Sequence, residues 1–219
     1  MEKRGLLIGT YNTATQLWTL TAWSLSAPEY QQNFLTVPGR DGSLDLTAAL
    51  TDGEPVYKSR TLTATLECSE GTRLTREVAI NTMINWLDGW QQDIVLPDDP
   101  DHYITGRISV EKNYNDPAHA AVTVTAVCAP WRYANDLTTY TLTASETEQT
   151  VSLSNNGRRT VVPLLTVTGG TVDLSYGTAT WSLGAGTYQL PDLVLPQGGG
   201  TLTYSGTGTV GITYREAVL

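Results

Sequence analysis

YKSRTLTATLEC, residues 57–68, alternates apolar and polar side chains from Thr61 onward, so Leu62, Ala64, Leu66 and Cys68 share one face. A period of two marks a strand with one side buried. The same reading fits AAVTVTAVC (120–128), where Val122, Val124, Ala126 and Cys128 fall together. LWTLTAWSL (17–25) is expected to place Leu17, Thr19, Thr21, Trp23 and Leu25 on one face, and HYITGRISVEKNY (102–114) reads as a longer strand with Gly106 as a candidate bulge. One stretch breaks the pattern. In TREVAINTMINWLDGW (75–90), Ile80, Met83, Ile84 and Leu87 recur at helical spacing. A helix is therefore expected over roughly 75–88, with Thr75 as N-cap and Gly89 as its stop. That helix would lid an open sheet face.

Composition divides the chain. Residues 134–219 contain no Cys, Met, His, Lys or Phe and only three Arg. They read as short strands between glycine-rich turns, the mark of a sandwich or barrel. The expected class is all-β with one helix, in two domains, 1–134 and 135–219. Such halves are large enough to bury a core of their own.

Charge and motif content exclude several functions. With 13 Lys+Arg against 22 Asp+Glu, the net charge is −9, which argues against a nucleic-acid footprint. The charged fraction is only 16%, leaving a surface dominated by Thr, Ser, Asn and Gln. Cys68 and Cys128 lie on apolar faces and are read as buried free thiols. The leading MEKRGLLIGTYNTATQL holds too short an apolar run for a secretion signal, and no run approaches a membrane span. The expectation is a soluble chain folding in a reducing cytoplasm. LPDDPDHY (96–103) gathers Asp98, Asp99, Asp101 and His102, but without calcium-loop spacing, and reads as a turn. With His102 and His119 the sole histidines and no nucleophile-elbow, zinc-helix or phosphate-loop motif, no catalytic residue, cofactor or metal is assigned. Tyr176, Trp181, Tyr188, Tyr204 and Tyr214 are read as half-buried strand residues, with sugar stacking as the alternative. The glycines at 198–200 are read as a turn, and Asn155-Asn156-Gly157 before Arg158-Arg159 as a hairpin reversal with a solvated tip.

TVPGRDGSLDLT (36–47) is the remaining signal. Asp41-Gly42 favours a tight reversal, Pro38 fixes one dihedral, and EYQQNFLTV and SLDLTAAL on either side read as strand. An isolated two-stranded ribbon is barely stable in water. The segment Pro38, Gly39, Arg40, Asp41 and Gly42 therefore reads either as a plain turn, which composition alone favours, or as a contact point for another subunit, the candidate subunit interface.

Taken in order, these pieces resemble one family, the distal tail proteins of long-tailed bacteriophages. The resemblance rests on Pro38-Gly39-Arg40-Asp41-Gly42, Tyr57-Lys58-Ser59-Arg60, Trp86-Leu87-Asp88-Gly89, and Asp98 to Asp101 before Tyr103-Ile104-Thr105-Gly106-Arg107. Cys128-Ala129-Pro130-Trp131-Arg132-Tyr133, Asn156-Gly157, Val162-Pro163 and Gly211-Ile212-Thr213-Tyr214-Arg215 follow, so it spans nearly the whole chain. It implies an N-terminal β-sandwich with an extended hairpin and a C-terminal galectin-like β-sandwich. It further implies a homo-hexameric ring joining the tail tube protein to the tail-tip hub, with DNA passing the channel unbound. The implied location is the virion tail, assembled in the host cytoplasm, with no enzymatic role. The alternative function is a carbohydrate-binding module.

Overall fold

The computed structural model describes residues 5–49, 51 and 53–219. Strand makes up 52% and helix 7%, so the all-β class with a single helix holds. Two compact units divide the chain, Met1–Arg132 and Tyr133–Leu219.

The first unit contains β1 (Leu7–Ile8), β2 (Tyr11–Asn12), β3 (Thr19–Leu25), β4 (Phe34–Thr36), β5 (Ser43–Asp45) and β6 (Arg60–Cys68). Helix α1 (Arg73–Leu87), β7 (Gln91–Leu96), β8 (Asp99–Asn115) and β9 (Ala120–Cys128) follow. Its main sheet runs β2-β1-β7-β8-β9-β6-β3, antiparallel throughout. Within it β6 pairs with β9 without a break, from Arg60 opposite Cys128 to Cys68 opposite Ala120. This register sets Leu62 against Ala126, Ala64 against Val124 and Leu66 against Val122, all buried. Ile80, Met83 and Leu87 of α1 join the same core.

Three local details differ from expectation. The first is the face of β3. Its register passes from Leu20 opposite Leu66 to Ala22 opposite Thr65, leaving Thr21 as a bulge. Trp18 and Leu20 are therefore buried before it, while Trp23 and Leu25 pack inward after it. One extra residue swaps the faces of a strand. The second is Gly106, which sits in regular register opposite Gln92 and Cys128 rather than in a bulge. A Cβ there would approach Cys128 Sγ to 2.7 Å, so close packing is what requires glycine. The irregularities in β8 lie instead between Asp99 and Tyr103, against β7, and between Lys112 and Tyr114, against β9. The third is the start of α1. Thr72, not Thr75, is the N-cap, and its hydroxyl accepts from the Thr75 amide at 3.2 Å. Thr75 is thus the residue being capped. At the other end Gly89 adopts φ +77, as expected beyond a helix stop, and its N–H donates to the Ile108 carbonyl.

A buried arginine ties helix to sheet. Arg76 is 1% exposed. Its Nη1 donates to the Gly71 carbonyl at 2.8 Å, and its Nη2 to the carbonyls of Asp116 and Pro117 at 2.7 and 3.1 Å. Asn115 completes the clamp, donating to the Arg73 carbonyl and to Glu77 Oε2. The planar guanidinium fork suits several fixed acceptors at once. Here it joins the helix start to the β8–β9 turn.

Short β10 (Arg132–Ala134) opens the second half of the chain. The second unit contains β11 (Thr138–Thr143), β12 (Gln149–Leu153), β13 (Leu164–Thr168), β14 (Val172–Tyr176) and β15 (Ala179–Leu183). β16 (Gly186–Gln189), β17 (Gly200–Gly206), β18 (Thr209–Tyr214) and β19 (Ala217–Val218) complete it. Two four-stranded sheets form, ordered β11-β18-β13-β16 and β12-β17-β14-β15. Leu165, Val167, Val210 and Ile212 of the first share one core with Leu153, Val172, Leu174 and Leu202 of the second. The result is a two-sheet sandwich. Gly199, in the expected glycine turn, has φ +86, and a Cβ there would lie 1.9 Å from the Leu153 carbonyl oxygen. No other residue fits that crossing.

Removing the Arg76 side chain leaves the part-buried carbonyls of Gly71, Asp116 and Pro117 without their donor. Each orphaned group costs about 1–3 kcal/mol. Water can reach part of that set, so Arg76→Ala should lower unfolding free energy by about 1–3 kcal/mol, measured as a reduced urea midpoint with an unchanged slope.

Both cysteines are buried and unbridged. Burial pushes the Cys128 thiol up to about 11. At pH 8 its thiolate fraction is then roughly one in a thousand. Cys128 should resist iodoacetamide in the native protein and react fully in urea, followed by mass spectrometry of the labelled peptides.

Candidate assembly interface

The hairpin predicted from residues 36–47 is present but differently built. Only three residues pair on each side, Phe34 with Asp45, Leu35 with Leu44 and Thr36 with Ser43. The reversal is a six-residue loop, 37–42, with a turn closed by the Arg40 amide to the Val37 carbonyl at 3.2 Å. It is not a two-residue Asp41-Gly42 turn, because Gly39 and Gly42 both adopt left-handed φ, +81 and +74, and Pro38 sets the entry. Pro38, Gly39, Arg40, Asp41 and Gly42 are all exposed. β4 and β5 pair with each other and with no further strand among the described residues.

Polar contacts stiffen the hairpin stem. Asn33 N–H donates to Thr47 Oγ1 at 3.1 Å, and Thr47 N–H to Asp45 Oδ1 at 2.9 Å. The Thr47 hydroxyl and amide together hold the Asp45 carboxyl below the usual carboxylate range. Below the stem the chain is anchored to its own body. Tyr30 bridges Tyr57, Gln31 N–H donates to the Val56 carbonyl, and Lys58 N–H donates to the Glu29 carbonyl. The expected long strands on either side are replaced by this short anchored ladder, because Pro28 and Pro55 bracket it and remove backbone donors.

The hairpin leaves apolar surface uncovered. Phe34 is 55% exposed and Leu35 50%. Neighbours in sequence on a strand point to opposite faces, so each face of the ribbon carries one. A second uncovered patch lies on α1, where Leu74, Val78 and Trp86 are exposed along one stripe and Trp90 follows just beyond the helix. Beside it a groove of about 270 Å³ lies between Trp86 and Thr82 on the helix and Tyr11, Asn12 and Gln16 around β2. The sheet is also open at β3, whose outer side pairs with no strand among the described residues.

The other candidate residues resolve into structural roles. Pro97-Asp98 forms the two-residue turn between β7 and β8, and Asp99 is held by Arg132 Nη1 at 2.5 Å and His102 Nδ1 at 2.7 Å. Among the described residues no His, Cys, Asp or Glu group is placed to hold a metal ion. Asn155 is fully buried, and its amide donates to the carbonyls of Arg159 and Leu195 while its Oδ1 accepts from Gly157 N–H. The Asn155–Arg159 segment is thus a clamped loop rather than a hairpin tip, with Arg158 and Arg159 amides on the Ala217 carbonyl and the Arg159 guanidinium over the Tyr133 ring. The sequence offered a turn signal there; a buried amide reaching across 40 residues leaves no periodic trace.

Tyr176, Trp181, Tyr188, Tyr204 and Tyr214 all pack against the second core. Tyr214 is buried, donates to the Ser154 carbonyl and stacks with Tyr140. The outward side of the β12-β17-β14-β15 sheet instead presents Asp173, Ser175, Thr180, Ser182, Thr203 and Ser205 around a shallow groove of about 350 Å³. Glu148 joins Asp173 there as a second carboxylate, and Trp181 and Tyr204 also line the groove from positions that pack against the core. Among the described residues no helix is long and apolar enough to cross a membrane.

The chain matches no protein-family model and no curated protein. Solved structures are similar. Two are of the phage p2 baseplate in its activated conformation, with Sr and with Ca. The first matches at 9% identity and TM-score 0.47 over 96% of this chain and 98% of that one. The second matches at 8% identity and TM-score 0.42 over 94% and 92%. The third is the Dit (gp 19.1) protein of phage SPP1, described as a paradigm of the hub adsorption apparatus in phages infecting Gram-positive hosts. It is 14% identical, with TM-score 0.68, over 98% of this chain and 99% of that one. From end to end, then, both units and their order follow the fold of the SPP1 Dit protein.

Proposed function

We propose that the chain is a structural component of a phage or prophage tail. Six copies close into a ring through the first unit, join the tail tube to the baseplate or tail-tip hub, and leave a channel for DNA. The observation that carries this reading is the end-to-end fold likeness to SPP1 Dit. A match confined to one sandwich would say little, since sandwiches serve many functions. Likeness across both units in the same order favours the same kind of part.

Features of the chain support it. Among the described residues, the hairpin spanning 34–45 and the open border at β3 pair with no further strand. Head-to-tail contacts between different surfaces close into rings when their rotation divides the circle. The candidate contact Pro38–Gly42 lies at the projecting end of that hairpin. Residues 1–135 carry a net charge of −6, so six copies contribute about −36. A lumen sharing that excess repels phosphate and lets DNA pass without adhering. The role is mechanical rather than catalytic, and it belongs in the virion tail.

Native mass spectrometry of the whole protein across a concentration series tests the reading. A species of six times 23.7 kDa is expected, lost when residues 34–45 are replaced by a short glycine linker. A sixfold mass that survives this replacement would remove the hairpin from the ring contact. Absence of any closed oligomer, alone or with tube and hub proteins, would remove the ring.

A further inference from the structure

Asn156-Gly157 is the one Asn-Gly step in the sequence. That pair is chemically unstable in any unhindered chain. The backbone nitrogen of the glycine attacks the side-chain carbonyl carbon of the asparagine, the bond to the amide nitrogen breaks, and ammonia leaves behind a five-membered succinimide. Water then opens the ring at either carbonyl, giving aspartate or isoaspartate. A glycine successor makes the attack easiest, because no Cβ hinders it and its backbone turns freely.

The fold obliges the chain to keep this weak step. Gly157 crosses Ala217 so closely that a Cβ on it would lie 2.6 Å from the Ala217 carbonyl oxygen and 2.7 Å from its nitrogen. A bulkier residue, which would slow the reaction, does not fit. Asn156 is exposed, and its Nδ2 reaches Glu216 Oε1 only at 3.4 Å. The carbonyl under attack is therefore open to water, while the attacking nitrogen is not. Gly157 N–H is buried and donates to Asn155 Oδ1 at 3.1 Å. Asn155 is itself fully buried and fixed, since its Nδ2 donates to the carbonyls of Arg159 and Leu195 at 2.9 and 3.0 Å. The next two amides, of Arg158 and Arg159, are held on the Ala217 carbonyl. To react, the Gly157 nitrogen must give up its proton to a base and swing toward the Asn156 side chain. A buried donor bonded to a fixed acceptor does neither.

We propose that Asn156 is a latent deamidation site and that Asn155 is its latch. Local opening of the loop over 155–159 releases the Gly157 nitrogen, and the reaction then runs without an enzyme. The product does not latch again. An aspartate at position 156 sets a second carboxylate against Glu216, and an isoaspartate adds a methylene to the backbone where Gly157 has no room to shift. The loop thus keeps a one-way record of the time the protein has spent open.

The test follows the peptide that carries Asn156 by mass spectrometry after the full-length protein is incubated in mildly alkaline buffer, with isoaspartate scored by fragmentation. A site that reacts only when open is slowed by its opening equilibrium, so folded protein should deamidate there at least about tenfold more slowly than protein unfolded in guanidinium chloride. Folded Asn155→Ala should lose most of that difference. Equal rates in folded and unfolded wild type, or a folded Asn155→Ala as slow as wild type, overturn the latch. A product holding aspartate without isoaspartate overturns the succinimide route. Should Asn155→Ala fail to fold, wild type in a guanidinium series decides the matter. A rate that climbs below the global unfolding transition supports a local latch, and one that rises only with that transition overturns it.

Discussion

The unbroken ladder between β6 and β9 is the constraint on which the first unit depends. Nine consecutive pairs place Leu62, Ala64, Leu66 and Cys68 on the same side as Val122, Val124 and Ala126. A slip of one residue would turn all of them to water. Everything else is added to this pair. β3 extends one side, β8 and β7 extend the other, and α1 covers the face that the pair makes apolar.

This pair was plainly legible, since clean alternation over eight or nine residues has one physical explanation. The helix was legible for the same reason: Ile80, Met83 and Leu87 keep a period that strands do not. What escaped were features with no period. Arg76 sits within the helical segment as one more charged residue, and only the folded chain brings it to carbonyls 40 positions away. The bulge at Thr21 is one residue inserted in an ordinary alternating run, and no turn residue announces it. Thr72 and Thr75 are equally good caps by type, and the choice between them depends on where the chain leaves the sheet.

The candidate contact was legible as a turn-rich segment, but its construction was not. Asp41-Gly42 carries the strongest local signal for a tight hairpin, and the wider Val37–Gly42 loop prevails. The apolar stripe of α1 shows a related limit. Leu74, Val78 and Trp86 lie at helical spacing, as core residues do, yet face away from the core. Periodicity identifies that a helix has a face and says nothing of which apolar residues that face will leave outside. Hydrophobic side chains on the far side of a helix acquire meaning only with a partner surface.

The hydroxyl-bearing side of the second sandwich has a consequence for the range of media in which the fold can operate. Ser175, Thr180, Ser182, Thr203 and Ser205 hold their water through neutral dipoles. Ionic atmosphere compresses from about 30 Å at 0.01 M to about 3 Å at 1 M, and surfaces kept wet by charge feel that change. The alcohols scarcely notice it, whereas the carboxylates of Asp173 and Glu148 among them do. Between dilute freshwater and brine, the hydration of this side should change chiefly around those two carboxylates.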